Sequence, residues 1–429
     1  MLWAPGMHTT KQTTVLLGSS LLLALCACGA PLPEDGASDR PAEDTESAAA
    51  VARRPFPQHV AYRGGALRPS HLSQAQLDGQ VLAYYHEWRA RYLAQVPGVK
   101  PTQKYVFYNR EGASDPRDAV AVSEGHGYGM LITALVAGGD KDAKADFDAL
   151  YRFYQAHPSV NTPGLMAWQQ VLRGGRVIDN PSGGNDSATD GDLDIAYALL
   201  LADRQWGSAG AIDYKAAALR SMAGTLRGVV HKSRDTLKLG DWAADSNSKY
   251  GAGTRPSDFM LDHLIAFAAA DPAHAARWRA VYDRAAGIVN AQARVGVGLL
   301  PDFMVGDGSG RYAPAPARFL EGKHDGDYDY NACRTPWRLA MADLLHGRAE
   351  VRGAVQAMNR FFVGATAGHP DRVRAGYHVS SGQSGSSYVS YSDLAFVAPL
   401  LVGAMTDPSS QAWLNGLWDR VLKGSPIAH

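Results

Sequence analysis

Apolar residues in this chain recur every three or four positions, segment after segment, and that period constrains the fold more than any other feature. Leu77, Val81, Tyr84, Trp88 and Tyr92 trace one such stripe, the spacing that gathers side chains on one face of an α-helix. Ser73 and Gln76 stand where a capping box would open that helix. Equivalent stripes cover 128–136, 147–154, 193–201, 219–230, 259–267, 278–289, 337–345, 351–362, 394–405 and 413–422. The expectation is about eleven helices joined by Gly-, Pro- and Asp-rich loops, with no alternating strand pattern above that background. No composition break falls between Ser73 and Leu422, so a single all-α domain is expected. An open solenoid would carry a repeat of fixed length. None is visible, and the long, unequal loops suit a closed (α/α) barrel with a site built at one end.

The first residues read as an address. Lys11 precedes an apolar run, Val15 to Ala24, too short to span a bilayer and matching a secretory core. Leu25-Cys26-Ala27-Cys28 then reads as a bacterial lipobox with Cys28 as the lipidated residue, closing a signal segment over 1–28. Ordinary signal cleavage after Ala27 or Ala30 is the rival. Residues 29–58 are rich in Ala, Pro and acids, a solvated tether, and 59–429 form the folded part. The expected product is exported from a bacterial cell, as an outer-membrane or cell-surface lipoprotein or in secreted form. Three Cys exclude a disulfide framework and a Cys-based zinc cluster. Cys333 lies in the folded part and reads as a small buried hydrophobe. With 42 basic against 42 acidic side chains, nothing recommends nucleic acid, which needs a basic face.

Three segments concentrate chemistry. In Ser123-Glu124-Gly125-His126-Gly127-Tyr128-Gly129-Met130, a Glu precedes three alternating Gly at a helix start. Each Gly costs roughly 1 kcal/mol of helix propensity against Ala, and close approach of a ligand to backbone would explain them. Glu124, partly desolvated beside Tyr128, is a candidate general acid; the bland alternative is a Glu complementing the helix dipole. In Ser187-Ala188-Thr189-Asp190-Gly191-Asp192-Leu193-Asp194 three acids alternate before a helix. The segment lacks the length and downstream Glu of a calcium loop, and Asp190 at the helix mouth suits sugar hydroxyls. In 319–338, acids and aromatics interleave and lead into a helix with two Arg. Aromatic faces there would stack on sugar rings.

Together these segments resemble glycoside hydrolase family 8. Ala188-Thr189-Asp190-Gly191-Asp192, Ile195-Ala196, Ala198-Leu199-Leu200, Ala202 and Trp206 fit every constrained position of that family's signature. The 123–130 segment is similar to its general-acid segment, and Tyr330-Asn331-Ala332-Cys333-Arg334-Thr335-Pro336-Trp337-Arg338 to its late helix. The likeness runs from about Tyr105 to Pro399. It implies an (α/α)6 barrel and inverting endo-hydrolysis of β-1,4-type glycans. It also implies Glu124 as proton donor and Asp190 as the residue holding the sugar at the cleavage point. Many members carry the base as an Asp directly after the Tyr of the late segment, where this chain has Asn331. A subgroup that includes bacterial chitosanases and lichenases shares that Asn and supplies a Glu from an inserted loop upstream. The resemblance therefore points to Glu321, with Asp327 and Asp329 as rivals. The segment Thr254-Arg255-Pro256-Ser257-Asp258-Phe259 also resembles that subgroup.

His126, Tyr128, Trp168, Trp242, Tyr330, Arg334 and Trp337 are further candidates for substrate contact, with core packing the alternative for Trp168 and an ion-pair role for Arg334. The expected partner is a polysaccharide, glucan or chitosan, taken by a monomer without cofactor or metal. A chitosanase would want an acidic cleft, for which Asp241, Asp245, Asp325, Asp327 and Asp329 are available. A polysaccharide lyase on a similar barrel would need a basic cleft instead. A non-catalytic glycan-binding lipoprotein is the remaining alternative.

Overall fold

The computed structural model describes residues 51–108, 119–380 and 382–424. The signal segment, Cys28 and the tether up to residue 50 lie outside the described residues. Eleven α-helices occur among the described residues: α1 Gln74–Tyr92, α2 Ser123–Leu135, α3 Ala143–Ala156, α4 Thr189–Trp206, α5 Tyr214–Gly228, α6 Leu261–Ala270, α7 Ala275–Gln292, α8 Thr335–His346, α9 Arg352–Thr366, α10 Leu394–Ala404 and α11 Gln411–Lys423. Each coincides with one expected stripe. Ser73 and Gln76 do form the reciprocal capping box that starts α1.

The helices are of two kinds, and they alternate. α2, α4, α6, α8 and α10 are buried on most sides, whereas α1, α3, α5, α7, α9 and α11 bury one face and show the other to solvent. Five inner helices wrapped by six outer ones, among the described residues, make the double ring of an (α/α)6 barrel, and one continuous apolar core fills it. The starts of the inner helices meet at one end. Arg255, ahead of α6, and Arg334, ahead of α8, both reach Asp190 in the first turn of α4. Tyr330 reaches Asp393 at the start of α10. At the opposite end Gln205 of α4 donates to the Ala134 carbonyl of α2.

Eight short strands, absent from the expected pattern, occur among the described residues in three small sheets. β1 Leu93–Gln95 pairs with β2 Lys104–Val106. β3 Ala119–Val122 pairs with β4 Gln169–Arg173, which pairs with β5 Arg176–Asp179. β6 Gly253–Thr254 pairs with β7 Met304–Gly306, then β8 Tyr312–Pro314. None exceeds five residues, too few for an alternating pattern to emerge from the helical one. β3 runs straight into α2, so the sheet aims the first turn of that helix.

Composition predicts a tether as far as residue 58, but residues 51–58 partly join the fold. The Arg53 and Phe56 amides donate to the Gln205 and Ala137 carbonyls at the lower end of the barrel, and Phe56 packs against the core.

Gly127 and Gly129 at the start of α2 serve close packing, the first against α4 and the second against β2. A Cβ on Gly127 would lie 2.7 Å from Asp194 Cβ, and one on Gly129 would strike the Val106 side chain. From the facing helix, a Cβ on Gly191 would lie 2.6 Å from the Ser123 backbone. α2 and α4 therefore touch nearly backbone to backbone beside Glu124. Gly191→Ala is expected to cost about 1–3 kcal/mol through overpacking and to lower kcat, since Ser123 must move and Glu124 follows it. Urea unfolding and steady-state kinetics on the same variant check both effects.

Between the inner helices, Asp194 accepts two hydrogen bonds from Arg338, at 2.8 and 2.5 Å, and a third from His263 at 3.0 Å. Arg338 also lies over the Trp337 ring, 4.0 Å from its centroid. All these groups are buried. Arg338→Met should destabilise the fold by about 3–5 kcal/mol, because it strands a buried carboxylate. A drop in the urea midpoint with little change in slope is the expected observation.

Candidate active site

Glu124 projects from the first turn of α2, where the helix N-terminus favours an anion. The Tyr128 hydroxyl, one turn later, donates to Glu124 Oε1 at 2.9 Å. Arg334 Nη1 pairs with the same oxygen. Beside it, the Trp168 carbonyl accepts from the Ser123 amide at 2.9 Å. Trp168 is half-buried, its indole N–H donating to the Gly183 carbonyl.

Asp190 sits opposite, in the first turn of α4, almost fully buried. Its Oδ2 accepts from Arg255 at 2.9 Å and Arg334 at 3.4 Å. The other two acids of that run turn elsewhere. Asp192 accepts from the Met166 amide, and its burial pushes it well above the usual carboxylate range. Asp194 belongs to the Arg338 pair. The three alternating acids therefore serve three separate sites.

Arg334 links the carboxylates. Its Nη2 donates to Asn331 Oδ1 at 2.9 Å and to Ser257 Oγ at 3.0 Å. Burial, with Arg338 nearby, pushes its guanidinium down to about 9, still cationic at neutral pH. Asn331 in turn donates from Nδ2 to Glu321 Oε2 at 2.9 Å and to Asp302 Oδ2 at 3.2 Å. Glu321 and Glu124 thus share one chain of contacts, with Asn331 and Arg334 standing between them. Burial opposes the charge on Arg255, but Asp258, Asp190, Glu321 and Asp302 raise it above the ordinary arginine value.

Asp302 escaped notice in the sequence. Its carboxylate collects the amides of Asp329, Asn331 and Ala332, at 2.7 to 3.2 Å, together with the Asn331 side chain. Burial, then repulsion from Asp329, pushes it well above the usual carboxylate range. It shapes the turn that presents Asn331 to Glu321. A lone acid in Leu299-Leu300-Pro301-Asp302 offers no signal for that task. Tyr108 was also missed; burial and Glu321 push its phenol up to about 12. In the sequence, Arg255 stands out only as part of the 254–259 segment.

The rivals for the base are engaged elsewhere. Asp327 accepts from His324, His378 and the Val379 amide. Asp329 is hydrogen-bonded to Tyr388.

Two expected contact residues are core residues. His126 is fully buried, its Nε2 3.0 Å from the Leu150 carbonyl, and burial pulls it down to about 3. Trp337 is buried between Arg338 and Tyr128. Most of α2 and α8 is surrounded by neighbours, so His126 and Trp337 point into the protein. Tyr128 is likewise buried, and its hydroxyl donates to Glu124. Trp242 and Tyr330 are partly exposed. Trp242 meets Tyr250 edge-on at 5.2 Å, and Tyr250 meets Phe319 at 5.3 Å, forming an aromatic wall from the start of α4 to the Glu321 loop. Tyr330 donates to Asp393 at 3.0 Å. Cys333 is buried and free, as expected.

An apolar pocket lined by Phe56, Leu77, Val81, Leu135, Leu401 and Met405 lies at the other end of the barrel, and among its lining residues only Asp78 is an acid. The chemistry belongs to the end where the inner helices begin.

A helical barrel with acids, arginines and half-exposed aromatics gathered at its loop end has the makings of a glycoside hydrolase. A family model described as glycosyl hydrolases family 8 matches residues 103–407. The chain belongs to that family. A beta-glucanase of Niallia circulans is 43% identical, over 88% of this chain and 87% of that protein. An endoglucanase of Bacillus sp. (strain KSM-330) is 35% identical, over 87% and 77%. Among solved structures, a beta-1,3-1,4-glucanase from Paenibacillus sp. X4 superposes with a TM-score of 0.79 at 42% identity, covering 87% of this chain and 94% of that one. A xylanase from Teredinibacter turnerae shares the fold, with a TM-score of 0.63 at 18% identity over 84% of this chain and 96% of that one.

Proposed function

We propose that the protein is an inverting endo-β-glucanase in which Glu124 protonates the leaving oxygen and Glu321 activates the attacking water. The observation that carries this reading is the Glu124–Arg334–Asn331–Glu321 chain of contacts. Two carboxylates kept apart by two intervening side chains suit the wide spacing, about 6.5–9.5 Å, that inversion needs to admit water. Asn331 cannot deprotonate water but can orient the carboxylate that does. Arg334 must release Glu124 for it to act as an acid, and Asp190 and Asn331 already hold the same guanidinium. Asp190 then binds the sugar at the cleavage point, and Trp168, Trp242 and Tyr330 offer faces for flanking rings.

The acids and the relatives support a glucan as substrate. The five carboxylates that would recommend a cationic chitosan all have partners. Asp325 accepts three backbone amides of its own loop. Asp241 holds Ser159 and the Ser187 amide, and Asp245 pairs with Lys238. Asp327 and Asp329 are tied to His324, His378 and Tyr388. A neutral β-glucan fits better, in line with the relatives called beta-glucanase and endoglucanase. Reducing-sugar release from lichenan, carboxymethylcellulose and chitosan in parallel tests it. Release from the two glucans supports the proposal, and release from chitosan alone overturns it. An unsaturated product would mean a lyase; binding without release would mean a glycan-binding protein.

We further propose export as a lipoprotein through Cys28, on the strength of the lipobox alone. Mass spectrometry of the mature N-terminus would show a diacylglyceryl group on Cys28, against an unmodified end after Ala27 or Ala30.

A further inference from the structure

The loop that carries Glu321 holds a second group of side chains that the proposed hydrolysis does not use. His324 Nδ1 lies 2.9 Å from Asp327 Oδ2, and His378 Nδ1 lies 3.2 Å from that same oxygen. The three atoms all fall within 4.8 Å of one another, and all three residues are partly exposed. They come from two loops, 319–330 and 373–393. The surroundings fix their geometry. The His324 ring lies flat on Tyr388, with centroids 3.6 Å apart and planes within 3°. The second Asp327 oxygen accepts the Val379 amide. Tyr328 and Tyr377 exchange both backbone hydrogen bonds between the loops.

Two imidazoles and a carboxylate converging on one point are a donor set for zinc and other divalent transition metals. In a tetrahedral site, ligand bonds of about 2.0–2.2 Å put neighbouring ligand atoms roughly 3.3–3.6 Å apart around the ion. The two spacings to Asp327 Oδ2, 2.9 and 3.2 Å, must open slightly, while the two imidazoles, which stand up to 4.8 Å apart, must draw in. Water could complete the coordination. We propose that His324, Asp327 and His378 bind one divalent transition-metal ion, which clips the Glu321 loop to the loop 373–393. Nothing in this rests on the choice of substrate.

Calorimetric titration of the untagged, chelator-treated full chain with zinc chloride tests the site, followed by thermal unfolding with and without zinc. One ion per chain is expected, with a rise in midpoint of roughly 3 °C at about a hundred times the dissociation constant. A His324→Gln/His378→Gln double variant keeps an amide to hydrogen-bond Asp327 but lacks imidazole. It should fold by circular dichroism, bind no zinc and show no shift. Asp327→Asn, a second variant, should weaken binding at least tenfold. Absence of zinc uptake by the unaltered chain, or equal uptake by the double variant, would overturn the proposal and mark the three residues as a hydrogen-bonded clip alone.

Discussion

Glu124→Gln is expected to lower kcat on β-glucan by about a thousandfold or more, within the range general acids contribute, while leaving KM and the unfolding midpoint almost unchanged. The amide matches the carboxyl in size and can still accept from the Tyr128 hydroxyl, so β3 and the first turn of α2 should keep their places. What it removes is the proton for the departing sugar oxygen. That cause has its own signature. A substrate with a phenol of low pKa as leaving group needs no proton, so the variant should recover much of its rate on it. An equal loss on both substrates would point to misfolding or lost binding in place of lost acid catalysis.

Glu321→Gln should be nearly as damaging on every substrate, because water must be deprotonated whatever the leaving group. No recovery with an activated phenol is expected, and the contrast with Glu124→Gln separates the two roles. Asp329→Asn serves as the comparison. Asp329 is bonded to Tyr388 and lies next to the buried Asp302, so its loss should cost less than about tenfold in kcat, as expected of a group outside the proton transfer. If Asp329→Asn lost more activity than Glu321→Gln, the base would be Asp329. Inversion itself is read by following the anomer released in early turnover by proton NMR.

The helices were legible because the outer ones are amphipathic and the inner ones are simply apolar; both leave a trace in a single chain. Glu124, Asp190 and the 319–338 segment were legible because they punctuate helix starts with residues poor at making helix. His126 and Trp337 misled for a related reason. They lie on helices buried from all sides, where apolar period defines no face, so nothing in the sequence tells a residue aimed at the cleft from one aimed at a neighbouring helix. Asp302 was invisible because its role consists of three backbone amides brought from a segment well downstream.

The sequence by itself determined the all-helical plan and the family resemblance, and it singled out Glu124 for the proposed acid, since each rests on local spacing or on a long motif. Tertiary structure decided the rest. It turned Asp190, Asp192 and Asp194 to three different partners, and set Gly127 and Gly191 at a close crossing of α2 and α4. It set Arg334 and Asn331 between Glu124 and Glu321. Those outcomes depend on which inner helix lies beside which, and closing a barrel brings together residues that no local period can relate.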